Sequence, residues 1–383
     1  MKNEGLISIY LSYILYNLSI GIYSGFLPIH LYSLGASLFI VSLLSAVPAL
    51  ITVFATPFWG MISHKIQFRK MFIILGLVAK IFCFIIFILT NIPLNYIISL
   101  GFFTIFICAL EPNLQSLVTQ TSSKAGRASG LLLTSRSIGS SLGAIMGGIL
   151  FENSSIRINF ILGILFSILS IGILVKVKEK HILNREDSKL FEVASYKTII
   201  KDKNLIPIYI SNFLYFFGNV IFGTFVSIYL SEIGGSKTLI GLSNSFISII
   251  TLISSTPIGI LVDKIGRKPI LTFGFFCCAL FNSFLYFTND PLITAVIWGI
   301  PFHQYITISS MSLISDNTSE KNRAAGLGLL IITPSIGRVV GPILGGLLVD
   351  SLTMKGLIPV SALILTLGGL CVLLTIKEKP KIF

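Results

Sequence analysis

Long apolar runs, separated by short polar or charged segments, follow one another along the whole chain. Twelve of these runs are long enough to cross the roughly 30 Å hydrocarbon core of a bilayer as helices. They lie at residues 6–31, 38–62, 71–90, 94–119, 128–151, 158–176, 206–230, 238–262, 270–289, 291–315, 324–350 and 356–376. The pattern predicts an all-α membrane protein with twelve transmembrane helices.

The second half of the chain repeats the first. SLVTQTSSKAGRASG at 116–130 aligns with SLISDNTSEKNRAAG at 312–326, and SIGSSLGAIMGG at 137–148 aligns with SIGRVVGPILGG at 335–346. Each half carries six predicted helices, so both halves begin on the same side of the membrane. We therefore predict two parallel, pseudo-symmetric six-helix bundles at 1–176 and 206–383, joined by a cytoplasmic linker at 177–205.

Composition and charge support a membrane protein. The chain is 54% hydrophobic and 11% charged, whereas soluble proteins have about 25% charged residues. If both termini are cytoplasmic, 22 of the 28 Lys and Arg residues fall on cytoplasmic segments, three on outer loops and three inside predicted helices. The net charge of +13 is then a topology signal that follows the positive-inside rule, and it does not indicate nucleic-acid binding.

These charges predict a multi-pass protein of the cell membrane with both termini in the cytoplasm. No cleavable signal is evident, so we expect the first helix to remain as an anchor. Within the linker, residues 190–200 fit either a helix lying on the bilayer or a solvated basic loop.

A charged motif, GILVDKIGRKP at 259–269, follows the eighth predicted helix, and a partial copy, GMISHKIQFRK, lies 199 residues earlier at 60–70. We expect Gly259 to let two helices approach closely and Gly266 to permit a tight turn. Arg267 and Lys268 are expected to anchor that turn at the cytoplasmic face.

The partial copy has lost three charges together. His64 stands at the position of Asp263, Phe68 at that of Arg267, and Gln120 at that of Asp316. Joint loss is expected if Arg267 pairs with Asp316, because one unpaired survivor at a membrane boundary would be costly. Independent drift at tolerant surface positions is the alternative.

The 6+6 plan, the basic central linker and the G-x-x-x-D-x-x-G-R-K pattern resemble the major facilitator superfamily over essentially the whole chain; the pattern is met by Gly259, Asp263, Gly266, Arg267 and Lys268. The resemblance implies solute transport by rocking of the two halves. It also implies that Asp263 faces the start of the fifth helix, which favours anions. The motif and Asp316 would then form a conformational latch.

A glycine row, GRVVGPILGG at 337–346, resembles the antiporter motif of drug exporters. That motif belongs in the fifth helix, where Ala144 replaces its proline. The small residues of both rows therefore predict close helix packing, and they support drug antiport only weakly.

Polar side chains mark a candidate substrate site on helices that the resemblance places around a central path. A polar stripe in hydrocarbon faces either an aqueous cavity or another helix, and the sequence leaves both open. His303 fits a titratable group or a structural imidazole, while Arg338 is a candidate for binding an anion. The candidate substrate-binding residues are Tyr13, Tyr16, Asn17, Asn212, Tyr215, Asn219, His303, Thr307 and Arg338.

Glu111 is the only acid deep within a predicted helix. It lies twelve residues before the turn near residue 123, and Arg136 lies thirteen after it. Antiparallel helices would bring both to nearly one depth, so an ion pair is the natural hypothesis, with Lys80 as a competing cation. The pair is either a permanent structural one or a proton-coupling site.

We predict a secondary transporter of a small organic solute, working by proton-coupled efflux. Import or export of organic anions or sugars is the alternative within transport, and a non-transporting receptor or scaffold is the alternative outside it. No nucleophile, metal cluster or phosphate-binding loop is evident, so we expect neither an enzyme nor a cofactor. The expected partners are the solute, the bilayer and protons, with no nucleic acid, and we expect a monomer.

Overall fold

The computed structural model describes residues 2–66, 68–122, 125–177, 179, 199, 202 and 204–376. Most of the predicted linker, including 190–200 apart from Ile199, lies outside the described residues. The described chain is helical, which confirms the all-α class. Its helices are α1 (Lys2–Ser24), α2 (Leu27–Ser33), α3 (Leu38–Ile66), α4 (Arg69–Leu89), α5 (Pro93–Ile107), α6 (Leu110–Thr121), α7 (Ala125–Asn153), α8 (Ile156–Val175), α9 (Ile206–Gly223), α10 (Val226–Glu232), α11 (Lys237–Ile265), α12 (Arg267–Phe287), α13 (Pro291–Trp298), α14 (His303–Asn317) and α15 (Glu320–Thr375).

Ten helical stretches of the described chain are long and apolar enough to cross a membrane. Helix α7 has 29 residues, and it falls outside this set because Ser, Gly and Arg dilute its apolar residues. The last stretch, Ala325–Thr375, has 51 residues, which is long enough for two crossings. Helix α15 is interrupted there at Thr353, whose φ of 65° is not helical.

Four of the predicted transmembrane helices are broken in the middle: the first, fourth, seventh and tenth. The breaks lie between α1 and α2, α5 and α6, α9 and α10, and α13 and α14. At all four of them the backbone tightens from i→i−4 to i→i−3 hydrogen bonding. These bonds run from Phe26 N–H to Tyr23 O (3.0 Å), from Ala109 N–H to Phe106 O (3.0 Å), from Phe225 N–H to Phe222 O (2.8 Å) and from Ile300 N–H to Ile297 O (3.3 Å).

The chain forms two compact units. Unit 1 comprises Met1–Leu183 and Ser227–Leu252, and unit 2 comprises Asn184–Val226 and Ile253–Phe383. Unit 1 therefore contains α1 to α8 together with most of α10 and the first half of α11, which belong to the second sequence repeat. Unit 2 contains α9 and the remaining helices.

Unit 1 is built around close contact between α1 and α7. A Cβ added at Gly139, Gly143 or Gly147 would overlap a carbonyl oxygen of α1, those of Ile14, Leu18 and Ile22 respectively. Backbones can approach this closely only where no side chain intervenes. The first glycine row therefore packs as the sequence predicts.

Unit 2 repeats this arrangement with α9 and α15. A Cβ added at Gly341 would lie 2.9 Å from Phe217 O, and one at Gly345 would lie 2.6 Å from Ile221 O. Real Cβ atoms essentially never come this close to a heavy atom. The close packing predicted for the second glycine row is likewise confirmed.

Candidate functional site

A polar cluster in unit 1 is centred on Glu111. The Tyr13 hydroxyl donates to both carboxylate oxygens, at 2.8 and 3.0 Å. Glu111 lies in the first turn of α6, directly after the break from α5, where the positive end of the helix dipole favours a carboxylate. The broken helix thus creates a favourable position for an acid within the membrane-spanning region.

The predicted partner of Glu111 is different from the observed one. The side-chain hydrogen bonds of Glu111 go to Tyr13, and among the described residues there is no ion pair between Glu111 and Arg136. Arg136, an exposed residue of α7, acts on Glu111 through longer-range electrostatics. The expected direct ion pair is therefore absent from this structure, although the two charges are neighbours.

Two tyrosine rings of α1 stack beside the acid, and Asn17 of the same helix contacts Tyr13. The ring of Tyr16 stacks on that of Tyr13, with centroids 5.9 Å apart, and the Asn17 amide donates to the Tyr13 carbonyl oxygen at 2.9 Å. All three side chains are buried. Lys80 lies over the Tyr16 ring, with Nζ 4.4 Å from its centroid, and so contacts the stack instead of Glu111.

The equivalent stripe in unit 2 packs between helices. The Asn212 amide donates to Ser310 Oγ on α14 and to Ile208 O within α9, both at 2.8 Å. Tyr215 is 4% exposed and packs edge-on against Phe216 and Phe275. These contacts favour interhelical packing for the first two residues of this stripe.

The remaining substrate candidates of unit 2 are less buried than Asn212 and Tyr215. The Arg338 guanidinium is 4.3 Å from the centroid of the Phe216 ring, and Arg338 acts electrostatically on His303. Thr307 donates to the His303 carbonyl oxygen at 2.9 Å, within α14. Asn219 is partly buried on α9. The structure therefore brings His303 and Arg338 into one neighbourhood.

The charged motif forms a side-chain network in unit 2. Arg267 Nε lies 2.9 Å from Asp316 Oδ2, and its Nη2 lies 3.4 Å from Asp263 Oδ1. The pairing of Arg267 with Asp316 that the repeat predicts is thus confirmed. Lys268 is the second residue of α12, directly after Arg267.

The two motif glycines differ. Gly266 has a φ of 122°, a value that residues with a side chain rarely adopt, so its predicted role in the turn is confirmed. A Cβ at Gly259 would meet nothing within 4 Å. The predicted close helix approach at Gly259 is therefore wrong for this structure.

The first copy of the motif is held by residues that sequence reasoning missed. The Glu179 carboxylate accepts hydrogen bonds from the backbone N–H of Arg69 at 2.8 Å and of Lys70 at 3.2 Å. In return, Lys70 Nζ donates to the carbonyl oxygens of Val175 and Val177, the latter at 2.9 Å. The available signal was indirect. Phe68 occupies the N-cap of α4 and makes no side-chain cap, so the first backbone N–H groups of α4 need an acceptor from elsewhere.

Two further contacts within unit 1 join the sequence repeats. Glu152, near the end of α7, accepts a hydrogen bond from Thr238 N–H at the start of α11, at 2.9 Å. Tyr32 donates to Glu232 Oε1 at 3.0 Å. Neither pair occupies equivalent repeat positions, so comparing the chain with itself could not find them.

Within the described part of the chain, no three His, Cys, Asp or Glu side chains gather as a metal site.

The sequence profile of the Major Facilitator Superfamily matches residues 9–210 and 208–382. The chain is 28% identical over 141 residues to the inner membrane transport protein YajR of Escherichia coli, covering 35% of this chain and 30% of that protein. It is 24% identical over 348 residues to the multi-drug resistance efflux pump PmrA of Streptococcus pneumoniae, covering 85% and 84% of the two chains.

The fold is similar to that of a solved transporter. The crystal structure of the nucleoside transporter NupG superposes with a TM-score of 0.82 at 12% identity, covering 98% of this chain and 100% of that one. At this identity the likeness shows the fold alone. Because the family profile spans nearly the whole sequence, this multi-pass membrane protein belongs to the major facilitator superfamily, a family of transporters and not of enzymes.

Proposed function

We propose that the protein is a twelve-span secondary transporter that exports a small organic solute in exchange for protons, by alternating access of two six-helix halves. The internal repeat and the breaks in every third predicted helix support this proposal, because broken helices often form solute and ion sites in transporters. Similarity over most of the chain to a protein named as a multi-drug efflux pump favours export.

The observation that carries proton coupling is the Tyr13–Glu111 contact. An acid within a membrane-spanning segment is costly unless it is paired or used, and this one has a hydroxyl donor and a nearby cation but no ion pair among the described residues. When Glu111 is ionised, Tyr13 donates to it and Arg136 stabilises its charge. When Glu111 takes up a proton, that charge is lost and Arg136 becomes available for another anion.

Exchange follows if the proton and the solute favour different conformations of this cluster. Each ligand can shift the equilibrium only by its difference in affinity for the two states. In unit 1 the proposed solute contacts are Tyr13, Tyr16 and Asn17, near Glu111. In unit 2 the proposed solute contacts are Asn219, His303, Thr307 and Arg338. Asn212 and Tyr215 would act by holding their helices in position.

The test uses purified protein in liposomes that contain a pH-sensitive dye, with an imposed pH gradient. Addition of an organic cation (ethidium), an organic anion (benzoate) or a sugar (lactose) reports which class moves protons. We expect Glu111→Gln to remain folded and to bind solute, but to lose at least about tenfold of its proton-coupled flux. Asp350→Asn, an exposed acid of α15, is the matched control. If the inserted Glu111→Gln variant keeps the wild-type dependence on the pH gradient, Glu111 is not the coupling residue.

Organic-anion transport is the second candidate, because the predicted transmembrane interior carries three cations, Lys80, Arg136 and Arg338, and one acid. Benzoate flux without ethidium flux would favour it. A receptor or scaffold would move no solute from the panel.

We also propose that the protein lies in the cell membrane as a monomer with both termini and the 177–205 linker in the cytoplasm, since the loop cations follow the positive-inside rule. A single cysteine in the linker, in a background without the native cysteines, should react with a membrane-impermeant reagent only in permeabilised cells. Labelling of intact cells would reverse the topology.

A further inference from the structure

A cavity of about 310 Å³ lies inside unit 1. Residues of α1 to α5 line it, and its walls are mostly apolar, with Leu44 and Pro48 on α3 and Leu100 and Ile107 on α5. Its volume is at the lower end of the range for small-molecule sites, which are typically apolar with a few placed polar groups. The polar groups decide what such a cavity would accept.

Lys80 is the charged group in the wall of this cavity. It is 3% exposed, and its Nζ makes one long hydrogen bond, 3.4 Å to the carbonyl oxygen of Tyr16. Nζ otherwise faces aromatic rings, 4.4 Å from the centroid of Tyr16, 5.7 Å from Phe84 and 6.0 Å from Tyr23. No carboxylate of the described chain forms an ion pair with it.

Glu111 acts on Lys80 through longer-range electrostatics, but among the described residues no carboxylate contacts the ammonium group. A buried ammonium group without an anion in contact is unfavourable, and the rings compensate only in part. Lys80 retains hydrogen-bonding capacity, because an ammonium has three donors. We propose that this cavity binds a lipophilic monocarboxylate, with its carboxylate on Lys80 Nζ and its apolar body against the α3 and α5 walls. One cation matches one negative charge. The cavity volume corresponds to roughly ten water-sized groups, which fits a medium-chain acid.

The location of this site connects it to the proton site. Lys80 lies on the face of Tyr16, Tyr16 stacks on Tyr13, and Tyr13 donates to Glu111. A carboxylate on Lys80 would therefore sit one stacked pair of rings away from the acid proposed to carry the proton. The inference rests on the proposed transport function, because it names the class of solute that would be transported. Binding of that solute can be measured without transport.

The test measures binding to the full-length protein in nanodiscs of phosphatidylcholine, with empty discs subtracted. Octanoate is compared with octanol and octylammonium, which share its chain length but carry no charge or a positive one. We expect octanoate alone to raise the unfolding temperature in a concentration-dependent manner. Lys80→Met should weaken octanoate binding by about tenfold or more, the usual size of a lost charge-assisted contact. Lys65→Met, at an exposed position of α3, should bind normally.

A second variant keeps the proposal testable if Lys80→Met does not fold. Ser45→Phe would fill the cavity from α3 while leaving the ammonium group in place, and it should also weaken octanoate binding by about tenfold or more. Loss of binding in both variants would support the site.

Several results would overturn the inference. Octanol that binds as well as octanoate would show that the cavity selects apolar bulk alone. Unchanged octanoate binding in Lys80→Met would locate the ligand elsewhere. If phosphatidylglycerol discs abolish octanoate binding, a lipid headgroup is the natural anion. Absence of binding to the wild type would end this inference, while solute-driven proton flux in liposomes would still decide the transport function.

Discussion

The turn between α3 and α4 and the turn between α11 and α12 occupy equivalent positions in the two sequence repeats, yet different contacts hold them. In the first turn, the Glu179 carboxylate binds two backbone N–H groups of α4. In the second turn, Arg267 joins Asp263 and Asp316 through side-chain ion pairs. Equivalent turns of the two repeats are therefore stabilised by different kinds of contact: a carboxylate with backbone N–H groups in the first, and side-chain ion pairs in the second.

The difference lies in how readily each set of contacts can exchange. The Glu179 contact is reinforced by Lys70, which binds the carbonyl oxygens at the end of α8, so the start of α4 and the end of α8 are tied in both directions. The side chains of Asp263 and Asp316 are 72% and 50% exposed, and exposed ion pairs are individually weak. We infer that the first turn is a permanent clamp, whereas the second can open and close during transport.

The largest expected effect comes from Arg267→Ala. The change removes two ion pairs and leaves two neighbouring acids, so we expect the free energy of unfolding to fall by about 1–2 kcal/mol. The matched change in the first turn, Phe68→Ala, removes a half-exposed side chain and should cost less than about 0.5 kcal/mol. Thermal unfolding in detergent measures both. Equal shifts in Tm would break the comparison.

Next in size is Glu179→Ala, which leaves two backbone N–H groups of α4 without their acceptor. We expect a loss of about 1 kcal/mol of stability, because helix N-terminal carboxylates and charge-assisted hydrogen bonds contribute on this scale. Glu179→Gln keeps a neutral acceptor and should lie between the two. Lys176→Ala, at an exposed position just before Glu179, is the control. Wild-type stability in Glu179→Ala would show that the clamp contributes nothing.

A smaller effect concerns conformation. Asp263→Asn should shift the protein toward its cytoplasm-open state by about twofold, the lower end of what a charge at a helix terminus provides, whereas His64→Asn should shift it less. Spin labels at the cytoplasmic ends of the two halves would report the distance distribution. An equal change for both variants would argue against an asymmetric latch.

The smallest expected effect comes from introducing an ion pair like that of Arg267 and Asp316 into the first turn. Phe68→Arg combined with Gln120→Asp recreates the positions of Arg267 and Asp316. A double-mutant cycle should give a favourable coupling of about 0.3–0.5 kcal/mol, as for exposed ion pairs elsewhere. Zero coupling would mean that the backbone of the first turn no longer permits the pair.

Features carried by local composition or by the repeat could be predicted from sequence. The apolar runs gave the helices to within a few residues, and the glycine rows gave the two close helix pairs. The pairing of Arg267 with Asp316 was predictable because both charges are missing from the first copy. Joint loss of two charges indicates that they contact each other. In each case the relevant information lies in residue type and spacing.

Other features depend on geometry that spacing does not contain. Residue counting along two antiparallel helices placed Glu111 at the same depth as Arg136. It does not specify the direction in which each side chain points around its helix axis. The observed partner of Glu111 is Tyr13. Pro28 and Pro112 lie two and three residues after the breaks at Phe26 and Ala109, and each lacks the N–H of an i→i−4 bond. The break at Phe225 shows the same one-residue change in hydrogen bonding with no proline nearby, so proline spacing does not predict it. Glu179 lies 110 residues from its partner Arg69, beyond any periodic signal.

The glycine contacts between α1 and α7 also bear on how motion is distributed. Since carbonyl oxygens of α1 fill the spaces where side chains of α7 would stand, these helices cannot slide past each other without a backbone collision. Helices α1 and α7 therefore move together as one rigid body. Bending of the first transmembrane segment is then confined to the joint at Gly25 and Phe26, between α1 and α2. The segment beyond that joint can tilt while the Tyr13–Glu111 cluster keeps its geometry.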